Sequence, residues 1–403
     1  MREIILISFL GPDQPNQFTR LMQVLSVHSL QILDVGQAVI HNQLTLGIVV
    51  ASENETATAL AMKEILILAH DIGLTVRFKP NSGAEYDQWV SEGGRTRYIV
   101  TALAPELTAA HLQAVTQIVS SQGFNIETVT RLSGRVDLEK DSTLPRRACV
   151  QFGLSSGPTL DAQAMRAACL LLSSELNIDV AVQEDNAYRR NRRLVCFDMD
   201  STLIEQEVID ELALEAGVGE QVAEITERAM QGELDFQQSF RARVALLKGL
   251  DASVLPKIAE RLTITEGAER LISTLKALGY KTAILSGGFQ YFAEYLQAKL
   301  GIDEVHANVL DVQDGVVTGE VKGVIVDGAR KAELLRELAN KLGISLEQAM
   351  AVGDGANDLP MLAIAGLGVA YRAKPLVRQN ANQAISSVGL DGVLYLLGKI
   401  GRA

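Results

Sequence analysis

The 403-residue chain is too long for a single core of about 100–200 residues and implies two or three domains. Its composition, 47% hydrophobic and 21% charged, is globular rather than disordered, and 49 acidic against 37 basic residues (formal charge −12) exclude the basic footprint of a nucleic-acid binder. Cys149, Cys169 and Cys196 are too few and too far apart for a disulfide framework or a CxxC zinc pair, which fits a reducing compartment.

The first segment, 1–80, opens with the strand pattern REIILISFL, breaks at Gly11-Pro12-Asp13, and continues as a helix from Asn16 to about His28. The opening lacks the longer apolar region of a signal peptide, and no stretch reaches the ~18 apolar residues of a membrane span, so a cytoplasmic protein without a membrane partner is expected. Two apolar stretches, Ser29–Ile40 and Gln43–Ala51, flank His41-Asn42 as strands flank a hairpin turn. A second helix, Thr56–Ile72, and a strand, Leu74–Phe78, complete a βαββαβ order. The Gly-rich and polar stretch PNSGAEYDQWVSEGGR reads as a linker, with Trp89 expected to anchor the flanking copies. Over 97–185 the order recurs: strand Tyr98–Leu103, helix Leu107–Gln122, strands Phe124–Leu132 and Arg147–Leu154, helix Asp161–Leu176, strand Asp179–Gln183. A repeat of about 95 residues indicates a duplicated domain rather than a solenoid.

The run Arg189-Arg190-Asn191-Arg192-Arg193 reads as a solvated face between domains, without a function. From about residue 190 to 403, apolar strands (LVCFDMD, KTAILSGG, QAMAVGDG, LGVAYRA) alternate with helical stretches, the pattern of a parallel sheet with helices on both faces. Such sheets bind ligands at the carboxyl ends of their strands. The first of these strands runs into Asp198-Met199-Asp200-Ser201-Thr202. Two carboxylates at a buried strand end repel one another and resist ionisation. A magnesium ion would offset that cost, although a DxD pair by itself equally suits a surface turn. Ser286-Gly287-Gly288 ends a second strand with a hydroxyl and unhindered N–H groups, suited to a phosphoryl oxygen. Lys331 lies early in a helix, where most lysines are merely exposed, and Gly353-Asp354-Gly355-Ala356-Asn357-Asp358 adds two carboxylates after a third strand. Asp314-Gly315 marks a hairpin turn that would form a small flap beside these strand ends. Between Thr202 and about Glu266 the pattern is almost all helical, too long for a βα loop, and implies a helical cap over about 205–265.

DMDST, the serine of SGG, the lysine and GDGAND match, in order, the four motifs of the haloacid-dehalogenase-like phosphatases, and within them the sequence resembles the phosphoserine phosphatases. The resemblance covers Leu194 to the end. It implies a Rossmann-like core in which Asp198 is the nucleophile and Asp200 the general acid/base, with Ser286 and Lys331 completing the catalytic set. It further implies a magnesium ion held by Asp198, Asp200 (through its carbonyl) and Asp354. Glu207 would take the substrate ammonium and Arg243 its carboxylate, Met230 and Phe236 would line the closed pocket, and Gly287 and Asn357 would join the substrate contacts. The implied activity is hydrolysis of phosphoserine in the last step of serine biosynthesis. A phosphatase or phosphotransferase for another small phosphate ester, and an amino-acid sensor with a retired catalytic half, are the rival readings. The βαββαβ pair resembles ACT domains, on element order and on Gly11-Pro12-Asp13-Gln14-Pro15; this implies L-serine as effector at Gly11 and Asp13 of the first copy. Ala104-Pro105-Glu106 replaces that motif in the second copy, which is expected to pack or dimerise, giving a homodimer.

Overall fold

The β-α-β-β-α-β order of the first segment is realised as β1 (Glu3–Pro12), helix Gln17–Val27, β2 (Gln31–Ile40), β3 (Gln43–Ser52), helix Glu55–Asp71 and β4 (Thr75–Asn81). The structure is a computed structural model that describes residues 2–92, 96–134, 147–154, 161–231 and 233–398. The antiparallel order is β2-β3-β1-β4. Alternation along β1 turns Ile5, Ile7 and Phe9 toward Leu21, Leu25 and Ile65 of the two helices. His41 and Asn42 both adopt positive φ (46° and 61°), as a two-residue turn matched to strand twist requires.

The expected linker is largely a helix, Gly83–Glu92. Ser82 and Glu85 cap its start reciprocally: Ser82 N donates to Glu85 Oε2 at 2.8 Å, and Glu85 N to Ser82 Oγ at 3.2 Å. This spacing outweighs the Gly-rich composition. Trp89 is half exposed and meets Tyr86 of the same helix, ring centroids 5.8 Å apart.

The chain forms two compact units, Met1–Arg95 and Thr96–Ala403. In the second, β5 (Tyr98–Ala104), β6 (Ile126–Arg131), β7 (Ala148–Leu154) and β8 (Asp179–Glu184) form an antiparallel sheet in the order β6-β7-β5-β8, with helices Ala109–Ser121 and Ala162–Leu176. Leu103, Leu132, Cys149 and Ala181 of this fold share one core with the α/β fold that follows.

The arginine run is not the solvated face its charge suggests. Arg189 and Arg192 are 1% and 6% exposed, whereas Arg190 and Arg193 face solvent. Arg192 donates to the carbonyls of Arg189 (2.9 Å) and Gly366 (3.4 Å), and burial lowers its pKa to about 10. A planar, weakly hydrated guanidinium tolerates such a site where domains meet.

The α/β fold is built on β9 (Leu194–Phe197), β10 (Lys281–Phe289), β11 (Glu304–Gln313), β12 (Val316–Lys322), β13 (Ala349–Gly353), β14 (Leu367–Tyr371) and β15 (Gln383–Ile385), in the order β12-β11-β10-β9-β13-β14-β15. All neighbours are parallel except the β11–β12 hairpin. That hairpin is the expected flap; it meets the cap through Gly249 N to Val317 O and Val317 N to Leu250 O, both 2.9 Å. Helices Val208–Glu215, Gly219–Met230, Phe236–Ala245 and Val254–Arg261 make up the insertion after β9. It leaves and returns at an Ile204–Ile264 bridge. Among the described residues no helix is long and apolar enough to cross a membrane.

Candidate active site

β9 is a fully buried central strand, so its carboxyl end delivers Asp198 into the middle of the sheet. Asp198 N donates to Val352 O of β13 at 2.9 Å, and its own carboxylate accepts from Met199 N at 2.7 Å. Asp358 follows β13 in a 3-10 turn and is completely buried. Lys331, in the first turn of the helix Gly328–Lys341, reaches both: its ammonium lies 2.8 Å from Asp198 Oδ1 and 2.7 Å from Asp358 Oδ1. The helix start is fixed by Asp327, whose carboxylate accepts from Arg330 N at 2.9 Å. Lys331 is therefore a buried counter-ion, unlike most helix lysines. Burial alone would lower its pKa, but Asp198 and Asp358 outweigh burial and raise it.

Carboxylate oxygens of Asp198, Asp354 and Asp358 lie within 4.8 Å of one another. Asp354 Oδ1 accepts from Thr202 Oγ1 at 3.0 Å, and Asp358 Oδ2 from Gly355 N at 2.9 Å. Burial and Asp358 push Asp354 up to about 7. Asp198 is also raised, by burial and Asp358, against the opposing pull of Lys331. One ammonium leaves this acidic group underneutralised, and an all-oxygen donor set suits a hard divalent cation, so the residues fit a metal. Asp358 is the member of the cluster that sequence reasoning left without a role, although its carboxylate stands in the same GDGAND motif.

Asp200 is raised well above the usual carboxylate range by burial and by Glu207, while Val208 N donating to its Oδ1 at 3.2 Å opposes the shift. Ser286 is fully buried and accepts from Gly288 N at 2.9 Å. A Cβ on Gly288 would lie 2.5 Å from Asp200 Oδ2 and 3.1 Å from Ser286 Oγ, so glycine is what lets the two loops approach. Asn308 steadies the same turn, donating to Gly287 O and accepting from Val326 N, each at 2.8 Å.

A cavity of about 640 Å³ opens above these residues. Asp198, Asp200, Asp354, Gly287 and Asn357 line its floor, and Glu207, Phe236 and Arg243 its cap side. Ser286 and Lys331 lie buried at the strand and helix ends beneath. The Met230 side chain lies outside the described residues. Phe236 stacks on Phe240 at 6.0 Å and seats its ring tip over Gly287, where a Cβ would come within 2.9 Å. Gln237 Nε2 donates to Asp327 Oδ2 at 2.6 Å, a second tie from cap to core. Glu207 accepts from Ser201 Oγ at 2.8 Å. Arg243 is mostly buried; no carboxylate lies within 4 Å of it among the described residues, and its Nε has no partner. Lys374 and Leu376, which sequence reasoning did not single out, also line the cavity. The loop residues Gly11 and Asp13 belong to the first unit. A Cβ on Gly11 would come within 2.7 Å of Gly73 O, and Asp13 is exposed with its N–H donating to Asn42 O at 2.9 Å.

A parallel sheet carrying this lysine-bridged carboxylate cluster, with a helical cap, defines a hydrolase of the haloacid dehalogenase-like class; that family's model matches residues 192–366, and the ACT domain model matches 3–79. A phosphoserine phosphatase of Streptomyces coelicolor is 40% identical over 98% of this chain and 92% of its own length. One from Mycobacterium tuberculosis is 39% identical over 98% and 93%. The solved structure of a probable phosphoserine phosphatase from Vibrio cholerae, 38% identical, superposes with a TM-score of 0.59 over 75% of this chain and 87% of that one. The chain belongs to the phosphoserine phosphatase family.

Proposed function

We propose that the protein hydrolyses O-phospho-L-serine to L-serine and inorganic phosphate. The observation that carries the substrate is the cap side of the cavity: the half-buried Arg243 guanidinium, with no carboxylate within 4 Å among the described residues, and the Glu207 carboxylate face the same space as Asp198 and Asp200. An Arg fork for a carboxylate and an acid for an ammonium suit an amino-acid phosphate better than a sugar phosphate.

In this reading the Asp198 carboxylate attacks phosphorus and the bond from phosphorus to the seryl oxygen breaks. The raised Asp200 carboxyl enters protonated and gives its proton to the leaving alkoxide. Asp200 then takes a proton from water, which attacks the aspartyl-phosphate and frees Asp198 and phosphate. The Ser286 hydroxyl, Gly287 N–H, Asn357 and Lys331 hold the phosphoryl oxygens. Magnesium bound by Asp198, Asp354 and the Asp200 carbonyl would supply positive charge to those oxygens and to the nucleophile. Phe236, which lines the cap side of the cavity, closes the pocket against water.

We further propose L-serine as an effector at the Gly11–Asp13 turn of the first unit, whose residues 3–79 match the ACT domain model, and a cytoplasmic homodimer as the assembly. Phosphate release from L-phosphoserine, phosphothreonine and a sugar phosphate, with and without magnesium, tests the substrate. A kcat/KM for the sugar phosphate equal to that for phosphoserine would overturn the reading in favour of another small phosphate ester. Asp198→Asn should abolish turnover with the fold intact, and a phosphoryl adduct on any other residue would refute the nucleophile; no turnover by the unaltered protein would favour a retired sensor.

A further inference from the structure

A second cavity, of about 290 Å³, lies inside the Thr96–Ala403 unit where the second βαββαβ fold meets the β15 edge of the parallel sheet. Two guanidiniums line it, Arg192 and Arg378. Arg192 is 94% buried by its 6% exposure, and Arg378 is partly buried. Among the described residues neither has a carboxylate within 4 Å, and the Nε of each is buried without a partner. Arg378 spends one N–H on Ser173 Oγ at 3.2 Å. The nearest charges act indirectly: Asp179 faces Arg378 through Ser173, whose Oγ donates to Asp179 Oδ1 at 3.4 Å, and Glu347 acts on Arg192 from beyond ion-pair distance, so an anion in direct contact would still stabilise both guanidiniums. Glu184 and Glu347 line the same cavity from exposed positions, also without ion pairs among the described residues. Met165, Cys169 and Leu170 supply an apolar wall. Cations inside, carboxylates at the rim and an apolar wall in a space at the lower end of the ~300–1,000 Å³ usual for ligand sites describe a small zwitterion with a short side chain.

The cavity also shares a segment with the catalytic cleft. Lys374, Leu376 and Val377 line the cleft, whereas Arg378, Ala381 and Gln383 line the second cavity. The segment is tied to the βαββαβ fold by Gln383, whose amide accepts from Val182 N at 3.0 Å and donates to Val182 O at 2.6 Å. Whatever draws Arg378 inward acts on the helix Pro375–Asn380 and hence on the cleft mouth.

We propose that this interdomain cavity binds a free α-amino acid, and that residues 374–384 transmit its occupancy to the mouth of the catalytic cleft. The carboxylate sits on Arg378 and Arg192, the ammonium faces Glu184 and Glu347, and the side chain lies on Met165 and Leu170. Transmission rests on the phosphatase reading; binding does not.

The test is calorimetric titration of the full chain carrying Asp13→Asn, which takes the first unit's turn out of play, with L-serine, glycine and L-valine, and with acetate as a carboxylate lacking the ammonium. One-to-one binding of at least one amino acid is expected, with acetate weaker by about tenfold or more. Adding Arg378→Gln should weaken binding by about tenfold or more, and Leu170→Trp should abolish it by filling the space, with basal kcat/KM for phosphoserine within about twofold in each. The saturating amino acid should change kcat or KM of the Asp13→Asn chain and not of the Arg378→Gln chain. No heat with any of the three amino acids overturns the proposal. So does an unchanged Kd in both variants at unchanged Tm. Expected titrations from chains that release no phosphate would refute the phosphatase reading while leaving the binding site standing.

Discussion

Among the described residues Lys331 is the single cation between Asp198, Asp354 and Asp358, and its complete burial makes it structural as well as chemical. Lys331→Met should cost about 3–5 kcal/mol in urea unfolding, because two buried carboxylates lose their partner. It should also lower phosphate release by about a thousandfold or more. Restoring stability by Asp358→Asn in the same chain, without restoring turnover, would separate the two roles. Asp354 carries a pH signature. Its carboxyl, raised from 3.8 to about 7 in the fold, holds its proton longer than in the unfolded chain. Its destabilising contribution is therefore absent below about pH 4, grows as pH rises through 4–7, and is complete above 7. In the presence of a chelator, Tm should fall between about pH 5 and 7.5, and magnesium should restore more at the upper pH than at the lower. A chelated protein whose Tm rises steadily across that range would contradict the burial argument.

At the level of elements, the strand ends do the positioning, and most were legible. Four buried apolar residues before DMDST, and similar runs before SGG and GDGAND, mark strands whose polar exits face one another once β9 lies between β10 and β13. The close approach is set by glycine: Gly288→Ala puts a methyl 2.5 Å from Asp200 Oδ2 and 2.8 Å from Met199 Cε. Turnover should fall about a hundredfold while urea stability changes by only about 1–3 kcal/mol, since the clash is confined to the loop. Equal losses in a Gly36→Ala control, at a first-unit position where an added Cβ meets nothing within 4 Å, would remove the special role. Other features needed three dimensions. Asp358 follows Asp354 by four residues in a turn, where a carboxylate ordinarily caps a helix, and only the inward reach of Lys331 shows what it pairs with. Lys374 and Leu376 sit in an unremarkable helix start, and their place at the cleft comes from chain folding back after β14. The Gly83–Glu92 helix was legible in principle, because Ser82 and Glu85 have capping-box spacing, but glycine and polar content argued against it.

For the whole molecule, the repeat in the sequence suggests two equivalent N-terminal folds, and the second of them shares a core with the catalytic fold. The joining contacts link residues about 120 to 240 positions apart, which no local periodicity reveals. Asp179, at the start of β8, accepts from Ser386 N at 2.9 Å and from Ser387 N and Oγ at 2.7 Å each. Arg147 meets Glu266 at 2.8 Å and the buried Asp391 at 2.9 Å, and Arg270 meets Asp391 at 2.9 Å. Arg189 and Arg192, misread as solvated, are buried at this seam for the same reason. A chain beginning at Thr96 should therefore unfold in one calorimetric transition and keep phosphatase turnover within a few-fold, because its core is whole. Asp179→Ala in that chain leaves the part-buried N–H groups of Ser386 and Ser387 without their acceptor and should cost about 2–4 kcal/mol, whereas Asp179→Asn, which still offers a carbonyl oxygen, should cost less. A chain beginning at Asn191 uncovers the apolar surface that Leu103, Leu132, Cys149 and Ala181 cover, and should melt well below the longer one or aggregate. If the Asn191 chain melts at the same temperature as the Thr96 chain, the shared core contributes nothing, and the route proposed between the second cavity and the cleft loses its mechanical support.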